Sequence, residues 1–102
     1  MPQPLNPFEL MKMMGSLQSQ TKRIKEEISA LRATGSAGAG LVEATVNGDF
    51  QLMDLNISEA AYSLGDKENL KVLIISAVND AANKAKAEVE RKTQDILMNL
   101  SH

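Results

Sequence analysis

Seven basic side chains are the residues of this sequence best suited to chemistry, because Lys and Arg can neutralise the phosphates of a polyanion. They fall on the later halves of two predicted helices. The set of candidates for phosphate contact is Lys22, Arg23, Lys25, Arg32, Lys84, Arg91 and Lys92. No aromatic residues alternate with these charges, and no short recognition helix follows a compact turn. Stacking on single strands and helix-turn-helix reading are therefore disfavoured.

The same side chains have a second interpretation as an ordinary solvated surface. Lys22 lies four residues before Glu26, and Lys84 lies four residues before Glu88. This spacing allows ion pairs within a helix, which would occupy the cations. Both interpretations stay open on the residues alone.

The distribution of charge is more informative than the net charge of −2. Residues 1–42 carry five basic and three acidic side chains, residues 43–70 one against six, and residues 71–102 five against four. The centre of the chain is thus acidic and its two ends are mildly basic. We expect a polyanion to contact the helical ends and not the sheet between them.

The residues that catalysis would need are scarce. Gly35, Gly38 and Gly40 could suggest a phosphate-binding loop, but such a loop follows a strand and opens a helix, and here a helix precedes and a strand follows. We interpret these glycines as a hinge or tight bend. There is no cysteine, and the one histidine is His102. The sequence therefore predicts no enzyme, no metal site and no cofactor.

The N-terminal residues lack the basic and apolar regions of a secretory signal. No apolar run approaches the roughly 20 residues that span a bilayer. We expect a cytoplasmic protein that contacts no membrane and has no small-molecule substrate.

A first long helix is predicted over residues 6–33, after a flexible N-terminus at residues 1–5. Asn6 suits the N-cap and Pro7 the first helical position. Apolar residues then recur at alternating steps of four and three, which makes a heptad seam with one polar member. The seam is Leu10, Met14, Leu17, Thr21, Ile24, Ile28 and Leu31. Thr34-Gly35 is the predicted stop.

A small antiparallel hairpin sheet of two to three strands is predicted over residues 38–57. Asn47-Gly48 stands between two alternating runs and predicts a primed turn. The face expected to be wet also carries Leu41, Phe50 and Leu52. A partner subunit is the simplest cover for these side chains.

A second long helix is predicted over residues 66–98, with Asp66 as its cap and a polar, projecting end. Helix one would be about 40 Å long and the strands about 20 Å. The sheet is too short to cover the whole seam, so the rest of the seam must be covered by the second helix or by a second copy of the chain. The predicted fold is α+β: long N-terminal helix, small antiparallel β-hairpin sheet, long C-terminal helix, in a homodimer with projecting helical arms.

Four blocks of residues resemble the YbaB/EbfC family of bacterial nucleoid-associated proteins. They are Gly38-Ala39-Gly40-Leu41-Val42, Thr45-Val46-Asn47-Gly48, Leu55-Asn56-Ile57 and Ala77-Val78-Asn79-Asp80-Ala81. The resemblance implies a tweezer-like α+β homodimer that binds double-stranded DNA. One departure is Asn56-Ile57-Ser58-Glu59, where family members often have Asp-Pro. The blocks are structural, so the seven candidate DNA contacts rest on charge and exposure alone.

With the resemblance, the predicted function is that of a dimeric nucleoid-associated protein in the cytoplasm. It would bind double-stranded DNA through basic helical arms with weak sequence preference, and so organise the chromosome or regulate gene expression. The alternative is a dimeric protein-interaction module in DNA replication or recombination that does not touch DNA. The acidic net charge and the exposed methionines slightly favour that alternative.

Overall fold

The structure is a computed structural model that describes residues 6–63 and 66–100. Its elements are α1 (Pro7–Ser29), β1 (Arg32–Ala37), β2 (Val42–Asn47), β3 (Leu52–Ile57), α2 (Glu59–Ser63) and α3 (Lys67–Leu100). The strands form one antiparallel sheet in the order β1-β2-β3. The predicted α+β architecture is confirmed. The flexible stretch predicted at residues 1–5 and the residue His102 lie outside the described residues.

The helix starts follow the predicted caps. The Glu9 N–H donates to Asn6 Oδ1 at 2.7 Å at the start of α1. The Glu68 N–H donates to Asp66 Oδ1 at 3.0 Å at the start of α3. Each cap satisfies a backbone donor that has no partner inside its helix. A local signal was therefore enough to place both starts.

The end of α1 was predicted wrongly. The helix stops at Ser29, and Ala30 caps it, whereas the sequence predicted helix to residue 33. Arg32–Ala37 instead forms the edge strand β1, paired along its whole length with β2. Alternating burial in β1 places Ala33 and Gly35 against α3. The gain from this packing and pairing outweighs the local preference for helix.

Gly35 is a contact residue, so its predicted role as a hinge is wrong. A Cβ atom there would meet the backbone of Ala81 and would lie 2.6 Å from the carbonyl oxygen of Ala77. The absence of a side chain lets β1 lie directly on α3. The tight bend is made by Gly38, Ala39 and Gly40, which all have positive φ angles and join β1 to β2.

The core is thin and built from small side chains. It lies between α3 and the strands β1 and β2. The buried apolar residues are Ala33, Val42, Ala44, Val46, Ala61, Ala77, Ala81 and Ala85. Alanine on both sides permits close approach of the helix to the sheet, as the alanines of the second helix predicted.

The turn between β2 and β3 is not the predicted primed turn. Gly48 is not among the residues with positive φ, whereas Phe50 is, at 63°. The loop is held by the buried side chain of Asn47, whose Oδ1 accepts from the N–H groups of Asp49 and Gln51 at 2.9 Å each. Gly48 packs on α1, because a Cβ there would meet the carbonyl group of Ile28. Glycine at this position serves a tertiary contact.

A β-bulge changes the face on which Leu52 lies. The register pairs Thr45 with Asp54 and then Val46 with Leu52, so Met53 is an extra residue. Leu52 therefore shares the face of Val46, toward α3, and not the wet face. The outer face is polar at its centre, where the Thr34 and Thr45 hydroxyl groups lie 3.2 Å apart.

Three further features of the fold concern the region after β3, Leu41 and the length of the helices. The region after β3 contains the single helical turn α2, where Ser58 Oγ accepts from the Ala61 N–H at 3.1 Å. Leu41 packs against the core instead of lying on a wet face. Within residues 6–63 and 66–100, no helix is both long enough and apolar enough to cross a membrane.

Asp80 joins α3 to β1, and we expect its substitution to change how stability depends on pH. Its Oδ2 accepts from Lys84 Nζ at 3.0 Å and from the Ser36 N–H at 3.1 Å. The hydrogen bond from Lys84, followed by that from Ser36, holds the pKa of Asp80 below its ordinary value of 3.8. The stabilisation is therefore complete above that pH and is lost as the pH falls through the folded-state pKa.

Asp80→Asn should lower the urea midpoint at neutral pH and weaken its decline below about pH 4. Urea unfolding across this pH range measures both effects. An Asp80→Asn protein with the acid dependence of the parent would contradict the assignment.

Candidate nucleic-acid interface

Beyond the sheet, α1 and α3 run side by side in opposite directions. Lys92 Nζ lies 3.7 Å from Glu27 Oε2. Seven residues further out on each helix, Gln20 and Asn99 line one groove together with Ile24 and Ile96. We call residues 7–27 of α1 and 86–100 of α3 the arm. It accounts for the elongated shape of the chain, which extends over 73 × 21 × 16 Å.

Three of the predicted contacts lie on the α1 side of the arm and are exposed. They are Lys22, Arg23 and Lys25. None of them takes part in a salt bridge with any part of the chain that the structure describes. The ion pair predicted between Lys22 and Glu26 does not form. These cations are therefore available to an external anion.

Lys22 and Lys25 lie on one flank of the heptad seam, in a shallow groove with Leu17, Gln18 and Thr21. Arg23 lies on the other flank and lines the groove between α1 and α3. Positive charge is thus offered on both sides of the arm.

The predicted contacts on α3 are engaged with carboxylates. Lys84 pairs with Asp80, and not with Glu88 as its spacing predicted. Arg91 lies 2.8 Å from Glu88 and 3.4 Å from Asp95. The hydrogen bond and charge of Glu88 raise the pKa of Arg91 above its ordinary value. A phosphate that approaches Arg91 must compete with these two carboxylates.

Lys92 and Arg32 have positions different from the other five. Lys92 is half-buried between the helices, where Glu27 neutralises it. Arg32 lies in β1, and its Nη1 donates to the carbonyl oxygens of Ser29 at 2.8 Å and Leu31 at 2.9 Å. A guanidinium there satisfies free carbonyl groups at the end of α1 and complements the helix dipole. The structure therefore separates Arg32 from the arm.

Sequence reasoning left two arm cations, Lys12 and Lys86, out of the candidate set. Lys86 is exposed on α3, and within the described residues it forms no salt bridge. Its place between Lys84 and Arg91 was the signal that could have included it. The residues of the two described ranges contain no group of three or more His, Cys, Asp or Glu side chains suited to a metal ion.

Comparisons with known proteins give several similar nucleoid-associated proteins. The chain is 32% identical over 93 residues to the nucleoid-associated protein EbfC of Borreliella burgdorferi strain ZS7, covering 91% of this chain and 94% of that one. It is 35% identical over 89 residues to EbfC of Borrelia hermsii, covering 87% and 90%. A nucleoid-associated protein of Chloroflexus aurantiacus is 32% identical over 92 residues, covering 90% and 92%.

The fold also matches a crystal structure of an uncharacterized protein from Helicobacter pylori. The TM-score is 0.65 at 23% identity, covering 97% of this chain and 100% of that one. At this identity the match supports the fold alone. The model of the YbaB/EbfC DNA-binding family matches residues 3–100. Since this match takes in both arm helices and the sheet, the chain belongs to the YbaB/EbfC DNA-binding family.

Proposed function

We propose that this chain forms a homodimer that binds double-stranded DNA through its arms, with weak sequence preference. It would act in the nucleoid, organising the chromosome or regulating gene expression. The observation that carries the proposal is the unpaired state of Lys22, Arg23 and Lys25 on a projecting helix. Cations of this kind contact phosphates, which position a protein on DNA without reading its sequence.

The side chains around these cations support a weak sequence preference. Gln18 and Gln20 are the nearest groups on α1 that could read base edges. Amide side chains read adenine when they lie in the major groove. With only two such groups beside three cations, phosphate contact and DNA deformability should dominate affinity.

The proposed dimer surface is the part of the sheet that α3 leaves open. α3 packs on β1 and β2, and its contacts with β3 are few. The Asp80 flank of α3 faces β1, because the Asp80 carboxylate accepts from Ser36 in that strand. Ile74 and Val78 lie on the opposite flank of the helix, toward β3. We infer that an apolar surface lies between this flank and the inner face of β3.

Two large apolar side chains on this surface are about half exposed. Leu52 in β3 is 48% exposed and Ile75 in α3 is 50% exposed. Leu70, Ile74 and Ile75 line one groove on this flank with the stems of two lysines. A two-fold related copy would place its own α3 on the uncovered strand and bury both sets. Such an apolar, self-complementary surface is typical of obligate dimers.

Fluorescence anisotropy of a labelled duplex, titrated at several salt concentrations, tests the proposal. The unpaired α1 cations Lys22, Arg23 and Lys25 give six per dimer, so the slope of log affinity against log salt should be about −5 if each of these neutralises one phosphate. Affinity should then fall about a thousandfold between about 50 and 200 mM salt. Unlabelled duplexes of unrelated sequence should compete almost equally.

Two outcomes would contradict the proposal. Absence of binding at low salt would contradict DNA contact, and strong preference for one competitor would contradict weak specificity. Light scattering on the same sample should give twice the chain mass of 11.1 kDa. A single-chain mass in the presence of DNA binding would reject only the dimer.

A further inference from the structure

The outer part of α1 lies beyond the end of α3. Glu27 pairs with Lys92, and Gln20 lines the same groove as Asn99. If the two antiparallel helices continue side by side at the spacing of these two pairs, Leu100 lies beside residue 19 of α1. Residues 7–18, which we call the tip, therefore extend about 18 Å past the described end of α3.

The tip is rich in apolar side chains that no other helix or strand of the described chain covers. Phe8 is 69% exposed, Met11 72% and Leu17 59%. Leu10, Met13 and Met14 are also exposed. The only charged residues of the tip are Glu9 and Lys12. Exposed apolar surface of this kind marks an interaction site in a soluble protein.

The spacing of these residues indicates a helix as the occupant. Leu10, Met14 and Leu17 continue the seam to which Ile24 belongs, and Ile24 lies beside Ile96 of the antiparallel helix α3. One residue of the seam, Ile24, thus already lies beside an antiparallel helix. Apolar residues spaced alternately by four and three positions form a stripe along one side of a helix. Such a stripe packs against a second helix and not against a flat surface.

A second copy of the tip has the length that the seam leaves open. When two tips pair antiparallel, Leu10 of one lies opposite Met14 of the other, as core layers of an antiparallel coiled coil do. Pro7 of the second copy then lies opposite Leu17. Because the described part of α3 reaches residue 19, the described part of the second helix begins where that of α3 stops.

The flanks of the seam also favour a second copy over a membrane. Met11 and Met13 flank it at the centre, and Gln18 and Gln20 follow. Two copies therefore meet without repulsion between like charges. A helix that lies in a membrane interface is rich in Lys or Arg on its polar face. The tip has a single cation, Lys12, whose Nζ lies 5.5 Å from the centre of the Phe8 ring.

We propose that the tips of two molecules pair antiparallel through Leu10, Met14 and Leu17, and so join the arms of separate molecules end to end. Pairing of two tips requires only the arm of each molecule and does not depend on the proposed dimer. Larger assemblies rest also on the proposed dimer, since a dimer with two tips can link to two neighbours. Such linkage would hold two DNA-bound dimers together.

Sedimentation of the full chain without DNA, from about 1 μM to about 1 mM, tests the contact in the range of weak to moderate dissociation constants. The parent protein should form species larger than a dimer as its concentration rises. Leu10→Glu with Leu17→Glu should raise the dissociation constant of that step at least about tenfold. The matched control is Ser16→Glu with Ser19→Glu, which adds equal charge on the opposite side of the helix and should associate as the parent does.

The outcomes separate this proposal from the proposed dimer. A parent protein that stays dimeric at every concentration would overturn tip pairing, as would equal loss of association in both variants. If the dimer is wrong and tip pairing right, the parent goes from monomer to dimer and the Leu10→Glu, Leu17→Glu protein stays monomeric. Sedimentation of the parent with anionic lipid vesicles, without self-association, would assign the tip to a membrane instead.

Disulfide trapping tests the register, because the chain has no cysteine of its own. A mixture of Leu10→Cys and Met14→Cys proteins should oxidise mainly to the mixed disulfide, since these positions lie opposite each other. A mixture of Ser16→Cys and Ser19→Cys proteins should not cross-link beyond background. Equal yields of all pairings in both mixtures would reject the antiparallel register.

Discussion

Replacing Lys22, Arg23 and Lys25 together with Gln should lower DNA affinity at least about a hundredfold at about 0.1 M salt. A dimer loses six cations in this variant, and no carboxylate of the described chain neutralises any of them. The slope of log affinity against log salt should become shallower by about 5. Anisotropy titration at several salt concentrations measures both quantities. Secondary structure should be unchanged, since all three side chains are exposed.

The matched control is the triple change Lys84→Gln, Arg91→Gln and Lys92→Gln on α3. It removes the same number of charges, but these cations already contact Asp80, Glu88, Asp95 and Glu27. We expect a loss of about tenfold or less, because a phosphate gains less from a cation that is already paired. Equal losses in the two variants would show that net charge, and not the α1 cations, determines binding.

Gly35→Ala should destabilise the fold by about 3 kcal/mol, the upper range for forcing a methyl group into a filled site. The added Cβ would meet the backbone of α3 at Ala81 and Ala77, which cannot rotate away as a side chain can. Domains of this size have about 5–15 kcal/mol of stability in total, so the loss would be a large fraction. Urea unfolding, followed by circular dichroism, measures it.

Gly15→Ala is the control for the glycine effect itself. Gly15 lies within α1 and has open space where a Cβ would be. Alanine there should stabilise the helix by about 0.5–1 kcal/mol, because it restricts the unfolded chain and favours helix. If Gly35→Ala were as well tolerated as Gly15→Ala, the close contact between β1 and α3 would not exist in solution.

The sequence alone did not determine which of the candidate cations form ion pairs with carboxylates. The seven candidates were chosen by type and helix position, and six of them do lie on α3 or on the α1 part of the arm. Which of them are free depends on where Asp80, Glu27 and Glu88 point. Lys84 could pair forward with Glu88 or backward with Asp80, and the contact of Asp80 with Ser36 in β1 favours the second. Spacing along one helix contains no information about β1.

The sequence by itself determined the features that depend on near neighbours in the chain. Asn6 and Asp66 start the two long helices because a side-chain oxygen reaches a backbone N–H two or three residues ahead. The alternating apolar residues determined the strands β2 and β3, and the matched blocks identified the family. Each of these signals lies within a few turns of helix or a single hairpin.

Only the tertiary structure decided which glycines bend the chain and which ones touch another element. Gly35 and Gly48 look like a helix stop and a primed turn, yet they pack on the backbones of α3 and α1. The strand β1 and the bulge at Met53 likewise follow from pairing with β2. A residue that lacks a side chain allows both a turn and a close contact. The choice between them depends on the element that lies opposite, which is distant in the sequence.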